Sequence, residues 1–195
     1  MMEACALGHL GVARILLQHH ARVDVFDENG RTALHLAAAN GHLELTDLLL
    51  KNKAFRLLAL GANPNARDDK GQTPLHLAAE NDYPDVVKLF LKMRQNNRAV
   101  LTAIDLNGFT CAHIAAMKGS LAVVKELMMI DKAMVIQAKT KTMEATTLHM
   151  AAAGGHEKIV KILLENGADA EDENAVCYLS IFSGFPAKIT FFVDC

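Results

Sequence analysis

Residues 27–54 read DENGRTALHLAAANGHLELTDLLLKNKA, and this stretch decides the fold because its key positions return three more times along the chain. The pattern Thr-x-Leu/Ala-His recurs as Thr32-Ala33-Leu34-His35, Thr73-Pro74-Leu75-His76, Thr110-Cys111-Ala112-His113 and Thr146-Thr147-Leu148-His149, each followed by an alanine pair. Within the unit, Asp27 and Gly30 bracket a tight turn, since a short carboxylate bonds nearby backbone and glycine tolerates positive φ. Thr32 is placed to cap a short helix. In the second copy Pro74 stands at the first helical position, where a missing N–H does no harm. His35 falls near the third helical position, within reach of the turn. Ala37 and Ala38 allow close approach of neighbouring helices. Gly41-His42 ends that helix, and Leu45, Leu48 and Leu49 supply the apolar stripe of a second one.

Each of these helices is shorter than the ~12–15 residues at which an isolated helix becomes even marginal in water. Their stability therefore has to come from stacking unit on unit. A repeat at this period is the signature of a quasi-one-dimensional array, which offers a long surface to a partner instead of enclosing a reaction.

The order turn, Thr-Pro-Leu-His, Ala-Ala, Gly-His, Leu-rich helix, Gly-Ala resembles the ankyrin repeat, over roughly residues 4–174. The resemblance implies an all-α fold, an ankyrin-repeat solenoid of stacked helix-turn-helix units with short turn or hairpin loops. Residues 1–26 match the latter half of a unit and residues 27–174 hold about four units. The fourth has lost both turn residues, with Lys141 in place of Asp and Glu144 in place of Gly, so a less tight turn is expected there.

The steps from His35 to His76, His113 and His149 all exceed the roughly 33 residues of a regular ankyrin array. The first excess lies at an irregular junction near 54–66, where Leu49-Leu50-Lys51-Asn52-Lys53-Ala54 is followed by Leu57-Leu58-Ala59-Leu60-Gly61-Ala62, as though one helix ended twice. Two readings stand: the ends of two different repeats joined at Phe55–Arg56 with intervening ones removed, or a plain loop insertion. The other excesses, at 93–100 and 131–137, read as lengthened loops, which cost little. After Asn174 the pattern fails, and half of the aromatic residues crowd into 176–195. Residues 175–195 read as a non-repeat apolar tail, with an irregular cap folded back on the array as the alternative.

Composition excludes several functions. A net charge of −2, with no basic run, gives no electrostatic case for nucleic acid. The four cysteines (Cys5, Cys111, Cys177 and Cys195) form no CxxC pair, which points to a reducing, cytoplasmic setting. The opening MMEACALGHLGVARILLQ carries Glu3 and His9 where a signal peptide needs an uninterrupted apolar run. Residues 175–193 are interrupted by Gly184, Pro186 and Lys188 and fall short of the ~20 apolar residues of a membrane span.

The chemistry-bearing residues read as architecture. Nine histidines invite a metal reading, but His35, His76, His113 and His149 hold equivalent places in successive units. Stacked elements lie roughly 10 Å apart, and zinc needs its nitrogens at about 2.0–2.1 Å, so adjacent copies cannot share an ion. A structural hydrogen bond is the expected role, and His19, His20 and His42 read as solvated edge residues. Cys111 begins a helix, where a thiol pKa can be lowered. It nevertheless takes the Pro position of the motif and has no base nearby in sequence, so it reads as a spacer. Asp82-Tyr83-Pro84-Asp85 reads as a helix–helix turn in place of Gly-His, and Met128, Met129 and Met134 read as packing residues, with an adaptable contact surface as the alternative. No catalytic, cofactor-binding or metal residue is expected, and the chain is not expected to be an enzyme.

Three stretches carry a closer resemblance. Ala21 to Asp27 leading into Gly30, Asn81-Asp82-Tyr83 followed by Val87 to Leu91, and Thr110-Cys111-Ala112-His113-Ile114-Ala115-Ala116-Met117 resemble the ankyrin array of NOMPC-type (TRPN) transient receptor potential channels. That resemblance implies a piece of a cytoplasmic arm of a mechanosensory cation channel, on the inner face of the plasma membrane, with microtubules as a partner and no pore helix in this chain. The alternative is a free-standing cytosolic ankyrin adaptor or inhibitor. On either reading, contacts to a protein partner are expected from turn tips and exposed parts of first helices. These are Arg31, Ala39, Asn40, Lys70, Gln72, Glu80, Asn81, Asn107, Phe109, Met117 and Lys118. Phe109 is the most suggestive, because aromatics are enriched at binding hot spots, although packing on the neighbouring turn explains it as simply.

Overall fold

The computed structural model describes residues 1–51, 62–92 and 100–170. Most of the irregular junction near 54–66, the stretch 93–99, the tail 175–195, and Cys177 and Cys195 lie outside the described residues. Among the described residues five helix pairs follow one another: α1 (Met2–Ala6) with α2 (Leu10–Gln18), α3 (Ala33–Ala39) with α4 (Leu43–Lys51), α5 (Pro74–Glu80) with α6 (Pro84–Lys92), α7 (Cys111–Lys118) with α8 (Leu121–Gln137), and α9 (Thr147–Ala153) with α10 (Glu157–Glu165). First helices pack on first helices along the chain, and second helices on second helices, giving two parallel layers. Among the described residues there is no strand, only one isolated antiparallel bridge between Lys139 and Thr146.

The first helices start the same way for the same reason. Thr32, Thr73, Thr110 and Thr146 sit in extended backbone as N-caps, and each forms a reciprocal capping box with the histidine three residues on. Histidine here does what glutamate or glutamine does in the usual box. The helices that follow are only seven or eight residues long and are almost wholly buried. Ala37, Ala38, Ala78, Ala79, Ala115, Ala116 and Ala151 have no solvent exposure. Their small side chains let one first helix lie close against the next, and an added methylene at such a site typically costs 1–3 kcal/mol.

The second helices are amphipathic and bury one flank. Leu45, Leu49, Phe90, Leu127, Ile159 and Leu163 are among the largest fully buried side chains, and Leu34 and Leu75 join the same core from the first layer. Burying such a residue contributes about 1.5–3 kcal/mol. No single unit holds enough of them to fold alone.

Two expectations are corrected. Residues 131–137 are not a loop: Asp131 breaks the helix with φ −145°, and its Oδ1 accepts the amide of Met134 at 2.9 Å, capping a further helical turn that buries Val135. The fourth turn is also offset from its expected position. Thr140, not Lys141, takes the place of the aspartate; its Oγ1 accepts the amide of Ala145 and its carbonyl accepts that of Glu144. Glu144 does take the left-handed place of the glycine, with φ 52°. The turn is one residue longer than its counterparts, as its weaker turn chemistry requires.

Candidate protein-binding surface

In the first three turns a single carboxylate oxygen holds the backbone. Asp27 Oδ1 accepts the amides of Asn29 and Arg31 at 3.0 and 2.8 Å. Asp68 Oδ1 accepts those of Lys70 and Gln72, and Asp105 Oδ1 those of Asn107 and Phe109, all within 3.0 Å. Successive tips are then joined edge to edge. The amide of Asp69 donates to the carbonyl of Asn29, that of Leu106 to Lys70, and the Thr142 hydroxyl to Asn107.

Behind the tips runs a second line of bonds. His35 Nδ1 accepts the Thr32 amide at 3.1 Å, which places the ring proton on Nε2, and Nε2 donates to the carbonyl of Gln72 in the next unit at 3.1 Å. His76 repeats this from Thr73 to Phe109, and His113 from Thr110 to Ala138. Burial pushes all three imidazoles below their usual pKa, His113 to about 4, although the carbonyl each bonds pulls the other way. Both ring nitrogens of each are engaged inside the stack.

A third line runs backwards along the other edge. His42 Nε2 donates to the carbonyl of Ala6 at 3.1 Å, and His156 Nε2 to that of Met117 at 3.0 Å. His42 is therefore a half-buried tie between units, not a solvated edge residue, because the glycine before it turns its ring onto Gly8.

The proposed contact residues divide by this geometry. Lys70, Asn107, Asn40, Asn81 and Lys118 are exposed, the first two on the tips and the others at the ends of first helices. Asn40 and Asn81 each spend their amide nitrogen on closing their own helix, donating to Leu36 and Leu77. Glu80 and Lys118, from adjacent units, meet in an ion pair at 2.9 Å. Ala39 and Met117 are half-buried. Arg31 is half-buried and held by Asp27 at 2.8 Å. Phe109 is half-buried against the core, with its ring tilted toward His113. Gln72 is corrected: it is only 8 % exposed, because its backbone closes one turn and receives the histidine of the previous unit.

Among the exposed apolar residues, two on or beside the turns were missed from the sequence. Leu106 is 75 % exposed at the tip position where Glu28 and Asp69 stand in earlier units, and Phe26 is 59 % exposed just before the first turn. The signal was present, since an apolar residue inside an Asp-x-x-Gly turn has no core to enter. Of the methionines, Met128 and Met134 pack against the core while Met129 is 84 % exposed. Cys111 is a fully buried free thiol pushed up to about 12 by burial, which fits a spacer and not a nucleophile. Among the described residues no group of three or more His, Cys, Asp and Glu could hold a metal ion, and no helix is long and apolar enough to cross a membrane.

Family models for ankyrin repeats match almost the whole described chain: a many-copy model over residues 1–50, and a three-copy model over 51–140 and 100–174. Among curated proteins, the chain is 27 % identical over 153 residues to a Caenorhabditis elegans homologue of transient receptor potential cation channel subfamily A member 1, covering 78 % of this chain and 9 % of that protein. It is 29 % identical over 207 aligned positions to the ankyrin repeat and KH domain-containing protein mask-1 of the same organism, covering 93 % of this chain and 8 % of that one. The chain spans less than a tenth of the length of either relative.

Proposed function

The chain belongs to the ankyrin-repeat family, and from that premise we propose that it is a non-enzymatic scaffold, one stretch of the cytoplasmic ankyrin arm of a NOMPC-like mechanosensory cation channel. Ankyrin repeats are protein-interaction modules, and the partner here is a protein held along the hairpin tips and the ends of the first helices. One observation carries the binding role. The tip backbones are fixed by the aspartate bonds and joined to one another, so Lys70, Leu106 and Asn107 project from a backbone with little conformational entropy left to lose on binding.

The channel reading is supported by the three stretches that resemble the NOMPC arm and by the match to a transient receptor potential homologue. That relative belongs to subfamily A, so it supports the channel class more than the branch. Microtubule contact enters through the resemblance alone. A cytosolic ankyrin adaptor is the second reading, favoured by mask-1, which matches more of this chain at similar identity.

Long-read sequencing of transcripts that encode residues 100–170 separates the two. Reads continuing into further repeats and then hydrophobic spans are expected for a channel arm. Reads that reach a stop or a KH domain instead would sink it, and the adaptor reading would stand. The binding role is tested by exchanging Leu106 for Ser and Lys70 for Glu. Loss of capture of the native partner, with the urea midpoint unchanged, is expected.

A further inference from the structure

Each second helix carries an apolar residue at its third position: Val12, Leu45, Val86, Val123 and Ile159. Leu45, Val86, Val123 and Ile159 are 0–2 % exposed, whereas Val12 is 50 % exposed. The reason is direction. The start of α8 lies against the preceding unit, where the Val123 amide donates to Asp82, and no described unit precedes α2. Ile15, one turn on along α2, is 58 % exposed, while Leu48, Leu89 and Ile162 in its register are only partly so.

A second observation is independent of apolar area. The residues before α4, α8 and α10 reach back to the preceding unit with a hydrogen bond, and Tyr83 before α6 lays its ring over Gly41. His42 donates to the carbonyl of Ala6, Ser120 Oγ to that of Glu80 and His156 to that of Met117. His9 holds this place before α2, with φ −78° and ψ 73°, close to the −94° and 74° of His156. It is exposed, and its side chain has no hydrogen-bond partner among the described residues.

We propose that His9, Val12 and Ile15 form a stacking surface for one further helix pair of the same repeat type, placed ahead of α1 in a longer polypeptide. The proposal rests on the reading of the chain as one stretch of a longer arm. The surface continues the unit-to-unit interface already present four times. Its occupant has a first helix whose last turn leaves a free carbonyl for His9, followed by a left-handed glycine for the ring to cover, as at Gly8 under His42 and Gly119 under His156. The flank of its second helix covers Val12 and Ile15.

The test supplies the occupant from the chain itself. Fusing residues 105–147 ahead of Met1 places Gly8-His9 as far behind the added Thr147 as Gly155-His156 stand behind the original. In the full-length chain Val12→Lys is expected to leave the urea midpoint unchanged, because Val12 is exposed. In the fusion the same change is expected to lower the midpoint by on the order of 1 M, and His9→Ala to lower it by less. Equal effects of Val12→Lys in both chains, or none in either, would overturn the proposal. If the Val12→Lys fusion does not fold, His9→Ala decides: a fusion midpoint that ignores it overturns the stacking surface. None of these readouts involves a partner protein, so failure of the scaffold reading would be seen separately.

Discussion

Asp82 caps a helix that belongs to the next unit: its Oδ1 accepts the backbone amide of Val123 at 3.1 Å. Val123 is the third residue of α8, whose own N-cap Ser120 offers no side-chain bond to it. Asp82 has φ 57°, the left-handed conformation that glycine takes at Gly8, Gly41 and Gly119. At those three glycines a ring from the next unit, His42, Tyr83 or His156, lies so near that an added Cβ would meet it at 2.5–2.7 Å. Behind Asp82 the ring is replaced by Ser120. The small serine leaves room for a side chain at 82, and the carboxylate there supplies the cap that Ser120 does not.

Asp82 variants should therefore rank by two separate losses. Asp82→Asn keeps an acceptor and tolerates positive φ, and is expected to match the parent within about 0.5 kcal/mol. Asp82→Gly loses the cap but relaxes the backbone. Asp82→Ala loses the cap and keeps the strain, for a cost of about 2 kcal/mol. Urea unfolding gives the order. An alanine variant no less stable than the glycine one would show that the left-handed backbone is not limiting.

The converse holds at Gly41, where φ is 71° and Tyr83 Cδ1 is 2.5 Å from a built Cβ. Gly41→Ala is expected to cost about 2–4 kcal/mol, part from the left-handed alanine and part from overpacking the ring. Tyr83→Ser removes only the second part. The double variant should therefore be more stable than the sum of the single ones by about 1 kcal/mol. Strict additivity would mean that ring and glycine are not in contact.

The repeated elements were legible because each position in them obeys a local rule. A threonine that caps, a histidine at the third helical position, a pair of alanines and a leucine stripe read the same way in every copy. The helices and the interior histidines followed from that. The site was less legible, because exposure at the tips is set by neighbours from the adjacent unit. Gln72 looked like a tip residue, yet its carbonyl is the acceptor of His35. Leu106 looked unremarkable, yet its place in the turn leaves it in solvent. Asp131 and Thr140 were misread for the opposite reason. Their side chains act locally, but they do so in registers that departed from the repeat by a few residues.

The interior histidines give the array a pH dependence of definite sign. Each Nδ1 accepts a threonine amide, so a proton there would face an N–H, and burial already holds His35, His76 and His113 below their usual pKa. In the unfolded chain they titrate near ~6.5. Below that pH the unfolded chain binds protons that the folded one refuses, so stability falls as pH falls. For His113 the loss continues down to its folded value of about 4, at about 1.4 kcal/mol per pH unit. Above about pH 6.5 these groups contribute no slope. Urea midpoints should hold between pH ~7.5 and ~6.5 and fall from there to pH ~5, and His113→Asn should remove one histidine's share of the slope while lowering stability throughout. A variant with the parent's slope would exclude His113 as a source of the dependence.

Cysteine chemistry distinguishes a packing spacer from a nucleophile. Cys111 begins α7 under Thr110, at a helix N-terminus that favours thiolate, yet it is fully buried and its pKa is pushed up to about 12. Desolvation outweighs the backbone amides of Cys111 and Ala112, which pull the other way. Cys5 is buried in α1 and raised to about 11. At pH ~8 the thiolate fraction of a group with pKa near 12 is about a thousandfold below that of an ordinary cysteine. Alkylation by iodoacetamide should therefore leave the Cys111 peptide unmodified in the native protein and modify it fully in urea. Cys5 lies in the end unit, where opening costs least, and should react sooner than Cys111. Site-resolved mass spectrometry reads both. Native-state labelling of Cys111 as fast as that of the unfolded chain would remove its assignment as a buried spacer and reopen it as a reactive thiol.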